Sequence, residues 1–221
     1  MPDHPQIADI DFEALYREHM AAAGRPKPAS VWDARAETAV LPPADEGYTA
    51  EFVRRLDLTH CTSLLDVGCG PGHIALAVAP RVPQVYGLDY STGMLARLMA
   101  NAQAQGATGV QALHRSWDDD WADVPVCDVV VASRSTLVRD MGDALRKLTG
   151  KARQRVHVSS LVRGQFQSVA SWQARGLPMP PALPDYIYIV NILYAQGIHA
   201  QVDFIEMGPG QPKWACVSWA P

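Results

Sequence analysis

The stretch S-L-L-D-V-G-C-G-P-G-H-I-A, residues 63–75, constrains this chain more than any other. A short apolar run enters glycines at 68, 70 and 72, and a second run follows at helical spacing. Glycine adopts backbone angles closed to other residues, so the chain can reverse tightly and a ligand can approach its main chain. The helix that follows opens with unpaired N–H groups, which suit an anionic or polar ligand group. Strand, glycine turn and helix in that order belong to an open α/β sheet, whose ligands bind outside the carboxyl ends of the strands.

The rest of the chain supports that architecture. Strand-like runs at 63–67, 84–88, 110–114, 127–132 and 155–161 alternate with helical stretches at 74–79, 93–105 and 142–151. Such alternation argues for a parallel sheet with helices on both faces. The run V-C-D-V-V-V-A, residues 126–132, has the character of a strand buried on two sides. Residues 164–184 read as loop with a short helix. Residues 185–194 read as a helix, with Asp185 as N-cap and Gly197 as its stop. Strands at 200–207 and 214–219, joined by a turn at 208–212, form a closing hairpin. Upstream, Phe12, Leu15, Tyr16, His19 and Met20 mark one face of a helix over 11–23, broken at residues 24–28. Further helices are expected over 31–40 and 45–57. The expected organisation is a helical N-terminal cap, 1–58, on a core, 59–221.

Composition narrows the function. Lys and Arg number 19 against 23 Asp and Glu, a net charge of −4, which argues against a nucleic-acid partner. Cys61, Cys69, Cys127 and Cys216 form no C-x-x-C pair, so neither a disulfide framework nor a metal site is expected. No apolar run approaches the roughly 18 residues of a membrane span. The N-terminus is polar and acidic, unlike a secretory signal, so a cytoplasmic location is expected.

The glycine turn departs from the dinucleotide fingerprint G-x-G-x-x-G. Its third glycine comes one residue early, and His73 stands three after Gly70. Asp66 also ends the strand before the turn. D-V-G-C-G-P-G resembles motif I of the class I S-adenosylmethionine-dependent methyltransferases. V-Y-G-L-D-Y-S-T-G-M-L (85–95) resembles their second strand and turn, A-L-H-R-S-W-D (112–118) the end of the third strand, and C-D-V-V-V-A-S-R-S (127–135) the fourth. The resemblance implies a Rossmann-like, doubly wound α/β sheet of seven strands, mostly parallel, with an antiparallel C-terminal hairpin strand. It implies S-adenosyl-L-methionine as cofactor and S-adenosyl-L-homocysteine as product. Gly68, Gly70 and Gly72 would then shape the loop beside the cofactor's amino-acid tail, with Asp66 at its amino group or ordering the loop. Asp89 would take both ribose hydroxyls. Tyr90 and Met94 would flank the adenine, Trp117 and Asp118 would lie at its other edge, and Ser133 near the methyl donor.

Plainer roles stay open beside these. Asp118 lies in an acidic run that suits a solvated turn, and Met94 suits a core position. Cys69 suits a filler, and His73 a first-turn helix residue without chemistry. The basic positions between Arg134 and Arg155 suit a solvated helix face.

Methyl transfer from a sulfonium needs donor and acceptor held in line, and a base only where the acceptor must lose a proton. No catalytic residue follows from the sequence. Ser133-Arg134-Ser135 stands where amide- and adenine-nitrogen methyltransferases carry N-P-P-Y, which argues against those acceptors; a small-molecule acceptor is the leading expectation. Trp32 or Tyr16 is available to face the sulfonium and Arg35 to pair the cofactor carboxylate. An NAD-dependent oxidoreductase and a non-catalytic S-adenosylmethionine-binding regulator remain alternatives. The sequence leaves the oligomeric state open.

Overall fold

The computed structural model describes residues 6–23, 27–41, 43–163, 173–174, 176, 181–208, 211 and 213–221. The break at 24–26, most of 164–184 and part of the 208–212 turn lie outside the described residues. Helix α1 spans Phe12–Ala23, α2 Ala29–Ala36 and α3 Gly47–Arg54. Then follow β1 Ser63–Val67, α4 His73–Val78, β2 Gln84–Asp89, α5 Thr92–Ala104, β3 Val110–His114 and β4 Cys127–Ser133. The chain closes with α6 Met141–Gly150, β5 Ala152–Leu161, α7 Tyr186–Ala195, β6 Gln201–Glu206 and β7 Lys213–Trp219.

The seven strands form one sheet in the order β3-β2-β1-β4-β5-β7-β6. The first five are parallel, and β7 runs antiparallel between β5 and β6. The chain reverses direction in the sheet order between β1 and β4. The crevice of an open α/β sheet therefore lies at the carboxyl ends of those two strands. Alternate residues of β1 and β4 face opposite sides. Leu65, Val67, Val130 and Ala132 pack beneath α1, α6 and α7, whereas Leu64, Val129 and Val131 pack with the α4 and α5 layer. Both faces are apolar because both are covered, which is why β4 reads as a continuous run.

Several expected boundaries shift. Helix α2 stops at Ala36 instead of 40, and α3 covers 47–54 instead of 45–57. Strand β5 begins three residues earlier than expected, because Ala152 pairs with Cys127 across a bulge. Leu15, expected on the inner face of α1, is exposed. Asp185 caps α7 as expected, accepting from Ile187 N at 3.1 Å. The N-terminal helices dock separately: α1 against α6 and α7, α2 against α5, and α3 against α4 and β6. Among the described residues no helix is long and apolar enough to cross a membrane.

Candidate functional site

The β1–α4 turn is shaped by close approach. Gly68, Gly70 and Gly72 all have positive φ, at 69°, 54° and 100°. A Cβ on Gly68 would land on the side chain of Ser135, whose hydroxyl donates to Val67 O at 2.7 Å. A Cβ on Gly72 would lie 2.5 Å from Leu98 of α5. At Gly70 a Cβ would meet nothing within 4 Å, so open space stands over the middle of the turn. Gly68 N and Cys69 N both donate to Leu88 O, at 2.7 and 3.1 Å, tying the turn to the end of β2. Asp66 is 1% exposed and accepts from Ala75 N at 3.0 Å, so it orders the start of α4 from the strand below. Burial, with Asp89 nearby, pushes its carboxyl up to about 7.

Asp89 ends β2 and is 6% exposed. Its Oδ2 accepts from Gly70 N and its Oδ1 from Ser91 N, each at 2.9 Å. Burial raises its pKa, and the backbone donors pull it back. Next to it, Ser91 caps α5, its Oγ accepting from Met94 N at 3.1 Å. Asp33 of α2 reaches the same helix start: its Oδ1 accepts from Ser91 Oγ at 2.6 Å and from Gly93 N at 2.9 Å. Gly93 permits this, because a Cβ there would lie 2.9 Å from Asp33 Cα. Tyr90 donates its hydroxyl to Lys27 O at 2.8 Å, and Met94 is buried. Arg35 of α2 stacks on Trp32 of the same helix, 4.8 Å from the ring centroid.

Beyond β3, Trp117 packs against Trp121 with ring centroids 5.4 Å apart. Lys147 of α6 pins this loop by donating to Trp117 O at 2.6 Å and Asp119 O at 3.0 Å. Asp118 is mostly exposed and pairs with Arg139 at 3.8 Å.

At the carboxyl ends of β4 and β5 three hydroxyls meet. Tyr48 Oη lies 2.9 Å from Ser133 Oγ and 2.5 Å from Ser159 Oγ. Burial pushes the Tyr48 phenol up to about 12, so it stays protonated at neutral pH. Ser159 Oγ also accepts from Arg134 N at 2.9 Å, holding Arg134 at φ 58°. The Arg134 guanidinium stacks on Tyr48, 4.3 Å from the ring centroid. Tyr48, His73 and Arg134, with Glu46, Gly47 and Thr49, line a pocket of about 260 Å³. Burial and Arg134 lower the pKa of His73, which keeps its imidazole neutral at neutral pH.

The donor set fits the cofactor that the resemblance implies. A carboxylate has about four acceptor positions, and each Asp89 oxygen is shown using one. Asp89 stands beside the open space over Gly70, with Tyr90 and Met94 next in line. The structure brings together Asp66, the three glycines, Asp89, Tyr90 and Met94, and sets Ser133 across the crevice from them. Trp117 and Asp118 lie further along, past β3. Tyr16 is corrected. It is 1% exposed, donates to Val138 O at 2.9 Å, and sits under α7, so it is a core residue and does not face the crevice. Sequence reasoning missed Asp33, Tyr48, Ser159 and the pocket position of His73. Local spacing carries no signal for Asp33 or Tyr48, whose partners lie 58 to 111 residues away.

A family model described as a methyltransferase domain matches residues 64–157. An uncharacterised protein of Haemophilus influenzae is 39% identical over 209 residues, covering 92% of this chain and 77% of that one. Among solved structures, a SAM-dependent methyltransferase from Aquifex aeolicus is similar at TM-score 0.64 and 15% identity, over 88% of this chain and 98% of that one. The N-methyltransferase NodS from Bradyrhizobium japonicum, solved with S-adenosyl-L-homocysteine, is similar at TM-score 0.65 and 12% identity, over 87% and 98%. The two structural likenesses are likenesses of fold.

Proposed function

The chain belongs to the class I S-adenosylmethionine-dependent methyltransferase family, a family of enzymes, and we propose that its acceptor is a small molecule bound in the pocket of Tyr48, His73 and Arg134. One observation carries this reading. Ser133-Arg134-Ser135 joins the glycine turn, through Ser135 on Gly68, to that pocket, through Arg134 on Tyr48. Donor and acceptor sites thus share one loop at the switch point of the sheet.

When bound, S-adenosylmethionine supplies a methyl group on a positively charged sulfur, already activated toward an acceptor lone pair. Asp89 holds the ribose hydroxyls with its remaining lone pairs. The turn at Gly68, Gly70 and Gly72 leaves room for the amino-acid tail, and Asp66 keeps the start of α4 in place beside it. Tyr90 and Met94 border the adenine on one side, and Trp117 and Asp118 on the other. Arg35 and Trp32 close the α2 side. Ser133 and Tyr48 present hydroxyls where acceptor and donor meet. A ring nitrogen of His73 takes the proton that a hydroxyl or ammonium acceptor sheds, and its lowered pKa leaves it free to do so near neutral pH.

The test is release of S-adenosyl-L-homocysteine over a panel of small hydroxyl, amine and carboxyl acceptors. Turnover with one class is expected, and His73→Gln should lower it about a hundredfold without changing cofactor affinity. In the wild type the rate should rise with pH through an acid limb below the ordinary histidine value. Intact cofactor binding with no turnover on any acceptor would instead favour the regulator reading.

A further inference from the structure

We propose that Arg134 is an anion clamp, and that the acceptor carries a carboxylate which it holds. The proposal rests on the reading of the pocket as the acceptor site and names the chemistry of that acceptor.

The first observation is the fate of the neighbouring cations. Arg139 pairs with Asp118, Arg146 with Glu13, Lys147 with Asp143 and Arg153 with Asp128. Lys151 donates to Val124 O and Arg155 to Gln201 Oε1. Arg134 is the exception in this basic stretch. Among the described residues its guanidinium meets no carboxylate and no carbonyl, and its contact is the face of Tyr48. A guanidinium stacked on a ring keeps its planar edge of N–H donors free for a bidentate partner.

The second observation is that this side chain is held in position. An arginine at φ 58° is uncommon, because that region suits glycine, asparagine and aspartate. Here Ser159 Oγ accepts the Arg134 N–H at 2.9 Å and stands 2.5 Å from Tyr48 Oη. The same hydroxyl therefore anchors both the backbone of Arg134 and the ring its side chain rests on. Ordering a long side chain before the ligand arrives lowers the entropy lost on binding.

The third observation is the lining. The neutral His73 shares the pocket with Arg134 and supplies an N–H donor. Glu46 also lines the pocket, and its carboxylate repels an anion. Removing that charge should tighten binding, whereas removing Arg134 should abolish selectivity.

The experiment titrates benzoate and benzamide, which match in shape and differ in charge, into the protein with and without saturating S-adenosyl-L-homocysteine. Running both arms reads the pocket's preference whether or not the cofactor reading holds. Wild type should bind benzoate about tenfold or more tightly than benzamide. Arg134→Asn suits the left-handed backbone and should erase that difference, with an unchanged thermal midpoint and under threefold change in S-adenosyl-L-homocysteine affinity. Glu46→Gln should strengthen benzoate binding severalfold. Equal or absent binding of the two probes to wild type overturns the clamp. A tenfold loss of S-adenosyl-L-homocysteine affinity in Arg134→Asn also overturns it, since the guanidinium would then serve the cofactor's own carboxylate. Failure of S-adenosyl-L-homocysteine to bind wild type would overturn the cofactor reading and leave the benzoate comparison to be read in the other arm.

Discussion

Asp89 carries two duties at once, and the structure separates them. Its carboxylate ties the glycine turn to the end of β2 through Gly70 N and starts the next turn through Ser91 N. At 6% exposed, Asp89 belongs to the fold as well as to the cofactor side of the turn. Asp89→Ala orphans two backbone donors and should lower unfolding stability by about 1–3 kcal/mol, measured by urea denaturation. Asp89→Asn keeps one acceptor oxygen at the site and should cost less stability. It should still weaken S-adenosyl-L-homocysteine about tenfold, because charge-assisted bonds to the ribose are lost. Equal stability loss in both variants would deny the backbone duty. Asp66 shows the same doubling: spacing placed it beside the turn, and only the fold shows its bond to Ala75 N.

Among the elements, the β1–α4 unit was legible because its signal is local. Three glycines between an apolar strand and a helix permit few other geometries. The bounds of β1 and β3 match the expected 63–67 and 110–114, since turn residues flank both. Helix α2 was half legible. Its periodicity is weak, and what fixes it is Asp33, which docks on the start of α5 some 60 residues away. Asp33→Ala should release that contact. Amide exchange at Gly93 and Met94 should then quicken roughly threefold or more, while core strands keep their protection. Unchanged exchange at Gly93 would mean that Ser91 alone holds the helix start. The Tyr48, Ser133 and Ser159 cluster was illegible for the same reason, since α3, β4 and β5 meet only in the folded chain.

At the scale of the molecule, one covered face of the sheet buries two groups of opposite titration sign, since Asp66 and His157 both lie in register with Val131. His157 of β5 is 6% exposed, and its Nε2 has no hydrogen-bond partner among the described residues. Burial, and secondarily Arg155, lower its pKa from 6.5 to about 4, with Asp57 acting the other way. Between those values the unfolded chain binds a proton that the folded one refuses, so stability falls as pH falls. Asp66 is raised from 3.8 to about 7, so the folded chain holds its proton longer and stability falls as pH rises. Each contributes about 1.4 kcal/mol per pH unit within its window, and the two oppose between about pH 4 and 6.5. His157→Leu should therefore gain stability relative to wild type as pH drops through that range, and Asp66→Asn should lose it. Parallel curves for mutant and wild type would contradict these assignments.

The central claim is that the crevice at the carboxyl ends of β1 and β4 binds S-adenosylmethionine and not a nicotinamide dinucleotide. Calorimetric titration of the intact protein with S-adenosyl-L-homocysteine, and separately with NAD, tests it most directly. The account predicts saturable one-site binding of S-adenosyl-L-homocysteine, weakened about tenfold in Asp89→Asn, and no heat from NAD. Saturable binding of NAD with none of S-adenosyl-L-homocysteine would contradict it.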